Sequence, residues 1–182
     1  MKPARLLLRR AAIIIYFGGM ASLALLIGTG LAGGRWNTTP SVPVGLYWQV
    51  KAPIAKGAFV LVCPPDTKPF QQARERTYID IGPCPGGYGR MMKQIAGMGG
   101  DTIAVRSDGV YVNNVRLPDS TPMARDPQGR PMSFIDGATY TLAPHQLLLM
   151  GTNSMSFDSR YYGPVGQDMV LSVIKPIYTW KE

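Results

Sequence analysis

Histidine and cysteine are scarce in this chain, which has one His and two Cys among its 182 residues. A closed zinc site usually takes four Cys or His ligands, so we expect no metal centre. The single histidine, His145, lies at the head of the apolar run "APHQLLLMG", a setting more typical of a structural than of a catalytic histidine. A Gly-x-Ser-x-Gly elbow and a phosphate-binding loop are also missing, which argues against a Ser-His-Asp hydrolase and a nucleotide enzyme. We therefore expect no cofactor.

Acidic residues are missing from the first 34 positions, although the whole chain has 11 of them against 19 Lys and Arg, a formal net charge of +8. Four of the basic residues lie within the first ten positions, so the remainder, with 15 basic and 11 acidic residues, carries only +4. That remainder has no Lys/Arg cluster with interleaved aromatic residues, which a nucleic-acid-binding face would need. We expect no nucleic-acid partner.

The segment 11–34, "AAIIIYFGGMASLALLIGTGLAGG", contains no charged side chain. An α-helix of about 20 residues spans the hydrocarbon core of a bilayer, and the basic residues before it favour a cytoplasmic location for that end. The sequence predicts a basic cytoplasmic tail over 1–10, a transmembrane anchor over 11–34 and an exported domain over 35–182, in the periplasm at the inner membrane. The alternative is a cleavable signal peptide, which would leave a periplasmic protein, but the apolar region of such peptides is usually only ~7–15 residues long.

The two cysteines, Cys63 and Cys84, both fall in the predicted exported domain. In an oxidising compartment an even pair favours a disulfide, which would stabilise the fold by about 2–4 kcal/mol. Two buried free thiols are the alternative.

The composition of the exported part, in a chain with 21 Gly and 16 Pro, favours many short strands and turns. We predict a mainly β domain, a sheet or open barrel, with reversals at Asp108-Gly109 and Asn113-Asn114. The run "PFQQARERTYID" between the cysteines predicts one short helix over 69–80. Runs of β-branched and aromatic residues between Gly, Pro, Asn and Asp breaks predict strands over 45–50, 58–62, 90–97, 102–105, 110–113, 146–150 and 170–176.

One serine lies in an unusually stiff setting directly after the apolar segment. In "NTTPSVPVGLYW", Ser41 lies between Pro40 and Pro43. Each proline fixes its own φ and restricts the residue before it. Such a backbone holds the Ser41 hydroxyl in one geometry, which a covalent catalyst requires.

A lysine can activate a serine if burial lowers its pKa enough to leave it neutral. The run "RMMKQIAGMGGD" contains such a lysine, because on a strand Met91, Lys93 and Ile95 share one face. An edge-strand lysine that prevents aggregation explains the same run equally well.

A third stretch, "GTNSMSFDSRYYGPVG" over 151–166, is dense in hydroxyl groups and follows an apolar strand. It includes Ser156, Asp158 and Arg160. A solvated turn is one interpretation of it. A polar loop after a buried strand is also well suited to orienting another group's side chain.

Together, the three stretches resemble the type I signal peptidase family. The motif Gly-x-Asn-x-x-Ser-x-Asp-Ser-Arg-x-x-Gly is the most specific element, and the resemblance covers most of residues 36–178. The short spacing, the form "S-x-P-x-G-L-Y" around the serine and the "CPGGYG" loop are most similar to the conjugative-transfer branch, the TraF-type peptidases of plasmid mating systems. The resemblance implies a β-rich catalytic domain docked at the membrane surface.

The resemblance also implies roles for individual residues. Ser41 would be the nucleophile and Lys93 the general base, with Ser156 orienting the lysine. Asp158 and Arg160 would form an ion pair that supports the site. Thr39, two residues before the serine, would be an auxiliary donor to the oxyanion.

The chain departs from the common family pattern at three places. It has Val42 where Met often follows the serine, Gly99-Gly100-Asp101 where Pro-Gly-Asp is common, and Gly151-Thr152-Asn153 where Gly-Asp-Asn is common. These differences separate it more from housekeeping signal peptidases than from the conjugative branch.

By this resemblance, the function is that of a membrane-bound serine endopeptidase that cleaves exported precursors after small residues. The implied substrate is a conjugative pilin precursor, with cyclisation of the product as a further possibility. A housekeeping signal peptidase I is one alternative. A non-enzymatic exported component of a mating or secretion apparatus is the other, in which the serine and the lysine would never meet.

Overall fold

The computed structural model describes residues 3–134 and 137–180. By their internal contacts the residues divide into two units, Met1–Arg35 and Trp36–Glu182.

The first unit is dominated by one long helix, α1 (Pro3–Leu31). Its stretch Leu7–Leu31, with a mean hydropathy of 2.1, is long and apolar enough to cross a membrane. The helix ends three residues before the predicted bound of the apolar segment. Gly33 adopts a φ of 106°, a conformation outside the right-handed helical region.

The second unit contains two antiparallel sheets, two short α-helices and one strand, β4, that belongs to neither sheet. Its larger sheet has seven strands in the order β1-β2-β12-β3-β5-β10-β11, and its smaller sheet has the order β8-β7-β6-β9. The strands are β1 (Gly34–Asn37), β2 (Val44–Val50), β3 (Phe59–Val62), β4 (Ile81–Cys84), β5 (Met91–Met98), β6 (Thr102–Arg106), β7 (Gly109–Val112), β8 (Val115–Arg116), β9 (Thr139–Thr141), β10 (Gln146–Met150), β11 (Val165–Gly166) and β12 (Val170–Trp180). The helices are α2 (Lys68–Glu75) and α3 (Ser159–Tyr162).

The predicted mainly β fold with one N-terminal apolar helix is confirmed, and each predicted strand corresponds to an observed one. The last strand, β12, is longer than predicted because its extra residues continue to pair with β2 as far as Trp180 and Val44. The predicted turn at Asn113-Asn114 joins β7 to β8, with φ of 51° and 66° at the two residues. The preceding turn lies one residue earlier than predicted, because Gly109 already pairs with Arg106.

The helix predicted over 69–80 ends early, at Glu75. Thr77 adopts a left-handed φ of 62°, so the helix cannot continue through it. Phe70 and Ala73 face the core, and the chain beyond the helix runs along a cavity described below.

Two large apolar clusters form the interior. The first packs α2 and the chain after it against the seven-stranded sheet, with Val60, Phe70, Ile95 and Leu147 among its buried members. The second fills the space between the sheets and includes Leu148. Because neighbouring residues of β10 enter different clusters, this strand is buried on both faces.

A disulfide joins Cys63, directly after β3, to Cys84, at the end of β4, across a Cα–Cα distance of 5.5 Å. It closes a loop that contains α2 and the segment 76–80, which forms part of the cavity wall. The bridge therefore restricts the chain on both sides of that segment.

We predict that thiol labelling of the unreduced protein, purified from the membrane, detects no free cysteine. The variant Cys63→Ser should lower the free energy of unfolding by about 2–4 kcal/mol, because the unfolded chain regains the loop entropy that the bridge removes. Denaturant unfolding with and without reductant measures this. Two reactive thiols in the native, unreduced protein would contradict the pairing.

Candidate active site

A cavity of about 450 Å³ opens on the second unit. Thr39, Ser41, Lys93 and Ser156, which come from the three motifs of the sequence, all line it. Four of the side chains to which the sequence assigned a role are therefore on one surface.

The segment 38–43, here called the serine turn, connects β1 to β2. Ser41 is half-buried, and its carbonyl oxygen accepts a 2.8 Å hydrogen bond from the backbone N–H of Thr152 in the third motif. The Ser41 Oγ lies 3.4 Å from the Thr39 Oγ1. Because the contact to residue 152 uses only the main chain, it does not depend on the departure from the family pattern at that position.

Lys93 lies on β5, opposite Val60 of β3, and is only 4% exposed. Its Nζ donates a 2.8 Å hydrogen bond to the Ser156 Oγ. Burial lowers the pKa of Lys93 from 10.5 to about 8, an effect that the charge of Asp158 opposes and that of Arg160 reinforces. An amine with this pKa is neutral in an appreciable fraction of molecules near neutral pH.

Both faces of β5 are covered. Met92 is 9% exposed and Ile95 is 0% exposed, so residues that point to opposite faces are both buried. Met92 packs in a third apolar cluster with Val42 and Tyr47, whereas Ile95 belongs to the first. With both faces of β5 covered, the Lys93 side chain is buried, although β10 does not pair with this end of the strand.

The Ser41 Oγ and the Lys93 Nζ share the cavity without a direct hydrogen bond between them, as far as the described residues show. In structures without substrate, catalytic hydrogen bonds are often long and shorten only when the substrate is bound.

Asp158 and Arg160 form a bidentate ion pair that is 0% exposed, with Nη2–Oδ2 and Nε–Oδ1 distances of 2.7 and 2.8 Å. Asp158 also caps α3 and accepts a 2.8 Å hydrogen bond from the Gly151 N–H. The remaining guanidinium N–H groups donate to backbone carbonyls. These belong to Asp119, Thr121, Asn153, Ser154 and Ser156.

The pair therefore acts on the third motif as a whole. Neither Asp158 nor Arg160 is among the described residues that line the cavity. Asp158 and Arg160 hold the loop that carries Ser156, and so they support the site without lining the cavity.

Gly151 is the first residue of the third motif, and the structure gives the steric reason for a glycine there. A Cβ added there would lie 2.2 Å from the Ser156 Oγ and 2.7 Å from the Ser41 carbonyl oxygen. Only glycine fits where these two loops meet.

The opposite wall of the cavity comes from the segment 76–80 and from the polar loop 118–131, which the sequence did not connect with the site. Asp126, 5% exposed, joins the two because it accepts hydrogen bonds from the Tyr78 hydroxyl and the Arg130 Nε. Burial raises the pKa of Asp126, but these hydrogen bonds outweigh burial and hold the pKa at about 2. Contacts between a loop and a distant segment have no signal in local sequence patterns.

His145 is exposed and lies apart from the cavity wall, at the turn before β10. Among the described residues, no group of three or more His, Cys, Asp and Glu side chains is placed to hold a metal ion.

The sequence model of the family "Signal peptidase, peptidase S26" matches residues 7–180. The chain belongs to this signal peptidase family. The predicted family is thereby confirmed, and the relatives support its TraF-type branch. The Escherichia coli "Plasmid transfer protein TraF" is 46% identical over 96% of this chain and 98% of its own length. The "Conjugal transfer protein TraF" of Agrobacterium tumefaciens (strain 15955) is 33% identical over 94% of this chain and 97% of its own.

Among solved structures, a signal peptidase I from Enterococcus faecalis V583 aligns with 68% of this chain and 97% of its own. The sequence identity of this pair is 22% and the TM-score is 0.38.

For the buried pair we predict that Arg160→Met lowers the free energy of unfolding by about 3–5 kcal/mol, because it leaves the Asp158 carboxylate buried without a partner. The double variant Asp158→Leu/Arg160→Met should be more stable than this single variant, since no unpaired charge remains. Denaturant unfolding in detergent measures both, with the exposed Arg125→Met as control. A single variant within about 1 kcal/mol of the wild type would show that the pair is unimportant for the fold.

Proposed function

We propose that this chain is a membrane-associated serine endopeptidase in which Ser41 is the nucleophile and Lys93 the general base. Ser156 orients the lysine, Thr39 donates to the oxyanion, and Asp158 with Arg160 supports the loop that carries Ser156. The family and the TraF relatives support a peptidase-like role. The roles of individual residues and the identity of the substrate go beyond what the family and the relatives support, and we propose them here.

The observation that carries the proposal is the environment of Lys93. A charged amine with 4% exposure would ordinarily need a carboxylate partner. The hydrogen-bond partner of this amine is the neutral Ser156 hydroxyl, at 2.8 Å, and its pKa is lowered to about 8. An amine in this setting is suited to accept a proton, and the Ser41 hydroxyl is on the same cavity wall.

The reaction follows from these positions. The Ser41 Oγ attacks the scissile carbonyl carbon, and the Lys93 Nζ takes the hydroxyl proton as the C–O bond forms. The charged lysine then gives that proton to the leaving amine, and the C–N bond breaks to leave an ester on Ser41. Thr39, whose Oγ1 is 3.4 Å from the Ser41 Oγ, is close enough to donate to the oxyanion after a small rotation.

The open edge of β5 offers a place for the substrate main chain. β10 pairs with β5 only from Gln94 to Met98, whereas β3 pairs with it from Met91 to Gln94. Met91, Met92 and Lys93 line the cavity, next to the edge that β10 leaves uncovered. An extended precursor segment can add a strand at such an edge and present its scissile bond to Ser41.

The setting of the reaction follows from α1 and from the relatives. With α1 as an inner-membrane anchor, the second unit works in the periplasm on a precursor that emerges from the membrane. The relatives are named plasmid transfer and conjugal transfer proteins. The substrate we propose is therefore a pilin-like precursor with small residues at the cleavage site.

The acyl-enzyme is resolved by water or by an amine held beside the ester. The α-amine of a substrate, with a pKa of about 7.7–8.0, is partly neutral at neutral pH. Attack by the substrate's own amine forms a cyclic peptide, and attack by water leaves a linear one.

The proposal is tested by incubating the detergent-solubilised protein with a candidate pilin precursor and measuring the intact mass of the products. Ser41→Ala and Lys93→Ala should each abolish processing, because they remove the nucleophile and the base. The exposed residues Ser107 and Lys175 provide matched controls, and Ser107→Ala and Lys175→Ala should process normally. A cyclic product is one water lighter than the linear product of the same sequence.

Processing by Ser41→Ala at the wild-type rate would contradict the nucleophile. Wild-type protein that leaves every exported precursor of its mating system intact would favour the non-enzymatic component instead.

The pH dependence is a separate prediction. Only neutral Lys93 accepts the serine proton, so kcat/KM should fall about tenfold per pH unit below a pKa of about 8 and level off above it. Steady-state cleavage of a peptide substrate across this range measures the profile. A rate that stays flat from mildly acid to alkaline pH would mean that another group is the base.

A further inference from the structure

Asn37, the last residue of β1, is 4% exposed and directs its whole carboxamide at the serine turn. Its Nδ2 donates to the carbonyl oxygens of Thr39, Val42 and Pro43 at 2.8, 2.9 and 3.1 Å. Its Oδ1 accepts from the N–H and the hydroxyl of Thr39 at 3.3 and 3.1 Å. One side chain therefore contacts the turn on both sides of Ser41.

The turn needs an external donor because of its own composition. Pro40 and Pro43 have no N–H, so residues 39–43 have fewer main-chain donors than carbonyl acceptors. A buried carbonyl without a partner costs about 1–3 kcal/mol. The NH2 group of the Asn37 amide donates to three carbonyl oxygens of the turn. An aspartate at this position could not, because an ionised carboxylate has no N–H or O–H to donate.

The same amide reaches the reacting hydroxyl through Thr39. The Thr39 Oγ1 lies between the Asn37 Oδ1 at 3.1 Å and the Ser41 Oγ at 3.4 Å. In the resting site the Thr39 hydroxyl donates to Asn37 and accepts from Ser41. The three side chains then form one hydrogen-bonded row along the cavity wall. During the reaction the Ser41 proton goes to Lys93, and the Thr39 hydroxyl turns from Asn37 to the oxyanion.

We propose that Asn37 is a positioning residue for the nucleophile, which acts through the turn carbonyls and the Thr39 hydroxyl to hold Ser41 in its reactive geometry. This inference rests on the proposed function. It adds a residue to which the sequence assigned no role, and Asn37 itself contacts no reacting atom. A misplacement of the nucleophile by about 1 Å can reduce the rate roughly 100-fold.

The experiment measures acylation of Ser41 in the full-length, detergent-solubilised protein by an activated ester, from the initial burst of released alcohol. For Asn37→Ala we expect the acylation rate to fall roughly 10–100-fold, while the KM for a peptide substrate changes little. Asn37→Asp should be at least as slow, because its carboxylate would face three carbonyl oxygens. The acid limb of the pH profile should stay near its wild-type pKa, because Lys93 is untouched.

Gln49→Ala is the matched control. It removes another half-buried, hydrogen-bonded carboxamide, one that bonds to Ser172 and does not contact the turn. Its acylation rate should equal that of the wild type. Equal acylation rates in Asn37→Ala and the wild type would overturn the inference and leave the proposed function intact. A wild-type protein that is not acylated at Ser41 would overturn the proposed function, and the inference with it.

A second pair of variants applies if the Asn37 variants fail to fold. Thr39→Ser keeps the hydroxyl between Asn37 and Ser41, and Thr39→Val removes it while leaving the bonds from Asn37 to the turn carbonyls. We expect Thr39→Ser to retain most of the acylation rate and Thr39→Val to lose it. Where Asn37→Ala does fold, a double-mutant cycle adds a further test, in which Asn37→Ala should cost less in the Thr39→Val background than alone. Strict additivity, or a Thr39→Val rate equal to that of the wild type, would contradict a role through Thr39.

Discussion

The burial of one amine is the constraint on which the site depends. Strand β5 is covered on both faces, so the Lys93 Nζ lies in the interior, where its charged form is disfavoured. The displacement of its pKa from 10.5 to about 8 corresponds to roughly 3 kcal/mol that disfavours protonation in the fold. Within the described part of the chain, the hydrogen-bond partner of this amine is the Ser156 hydroxyl. The rest of the site is the structure that holds this hydroxyl and the Ser41 hydroxyl in place.

That structure is one loop, the third motif, held from two sides. The Asp158–Arg160 pair fixes its far side through carbonyls and the Gly151 N–H. Its near side contacts the serine turn, where Thr152 donates to the Ser41 carbonyl oxygen and Gly151 leaves no room for a Cβ. The loop therefore positions the lysine, through Ser156, and the serine, through its main chain. A small number of contacts thus connects Ser41, Lys93 and Ser156, which are far apart in the sequence.

The sequence predicted what local patterns encode. The strands of the core, the apolar helix and the residues of the three motifs were recognisable, because alternation, turn residues and motif spacing are local signals. The sequence did not predict that α2 ends at Glu75 or that both faces of β5 are buried. The left-handed conformation of Thr77 and the burial of a strand face depend on tertiary packing. The role of Asn37, the steric reason for Gly151 and the wall around Asp126 were missed for the same reason. Each depends on contacts in the folded chain, and local sequence patterns do not show which segments come into contact.

The proposed role of Lys93 as general base requires a lowered pKa in the folded protein, and a direct titration of its amine tests this. The protein, labelled with ¹³C at the lysine ε carbons, is titrated by NMR, and the Lys93 signal is assigned by its loss in Lys93→Arg. We expect a midpoint of about 8 for Lys93. A Lys93 midpoint near 10.4, the ordinary value for a lysine side chain, would contradict this role.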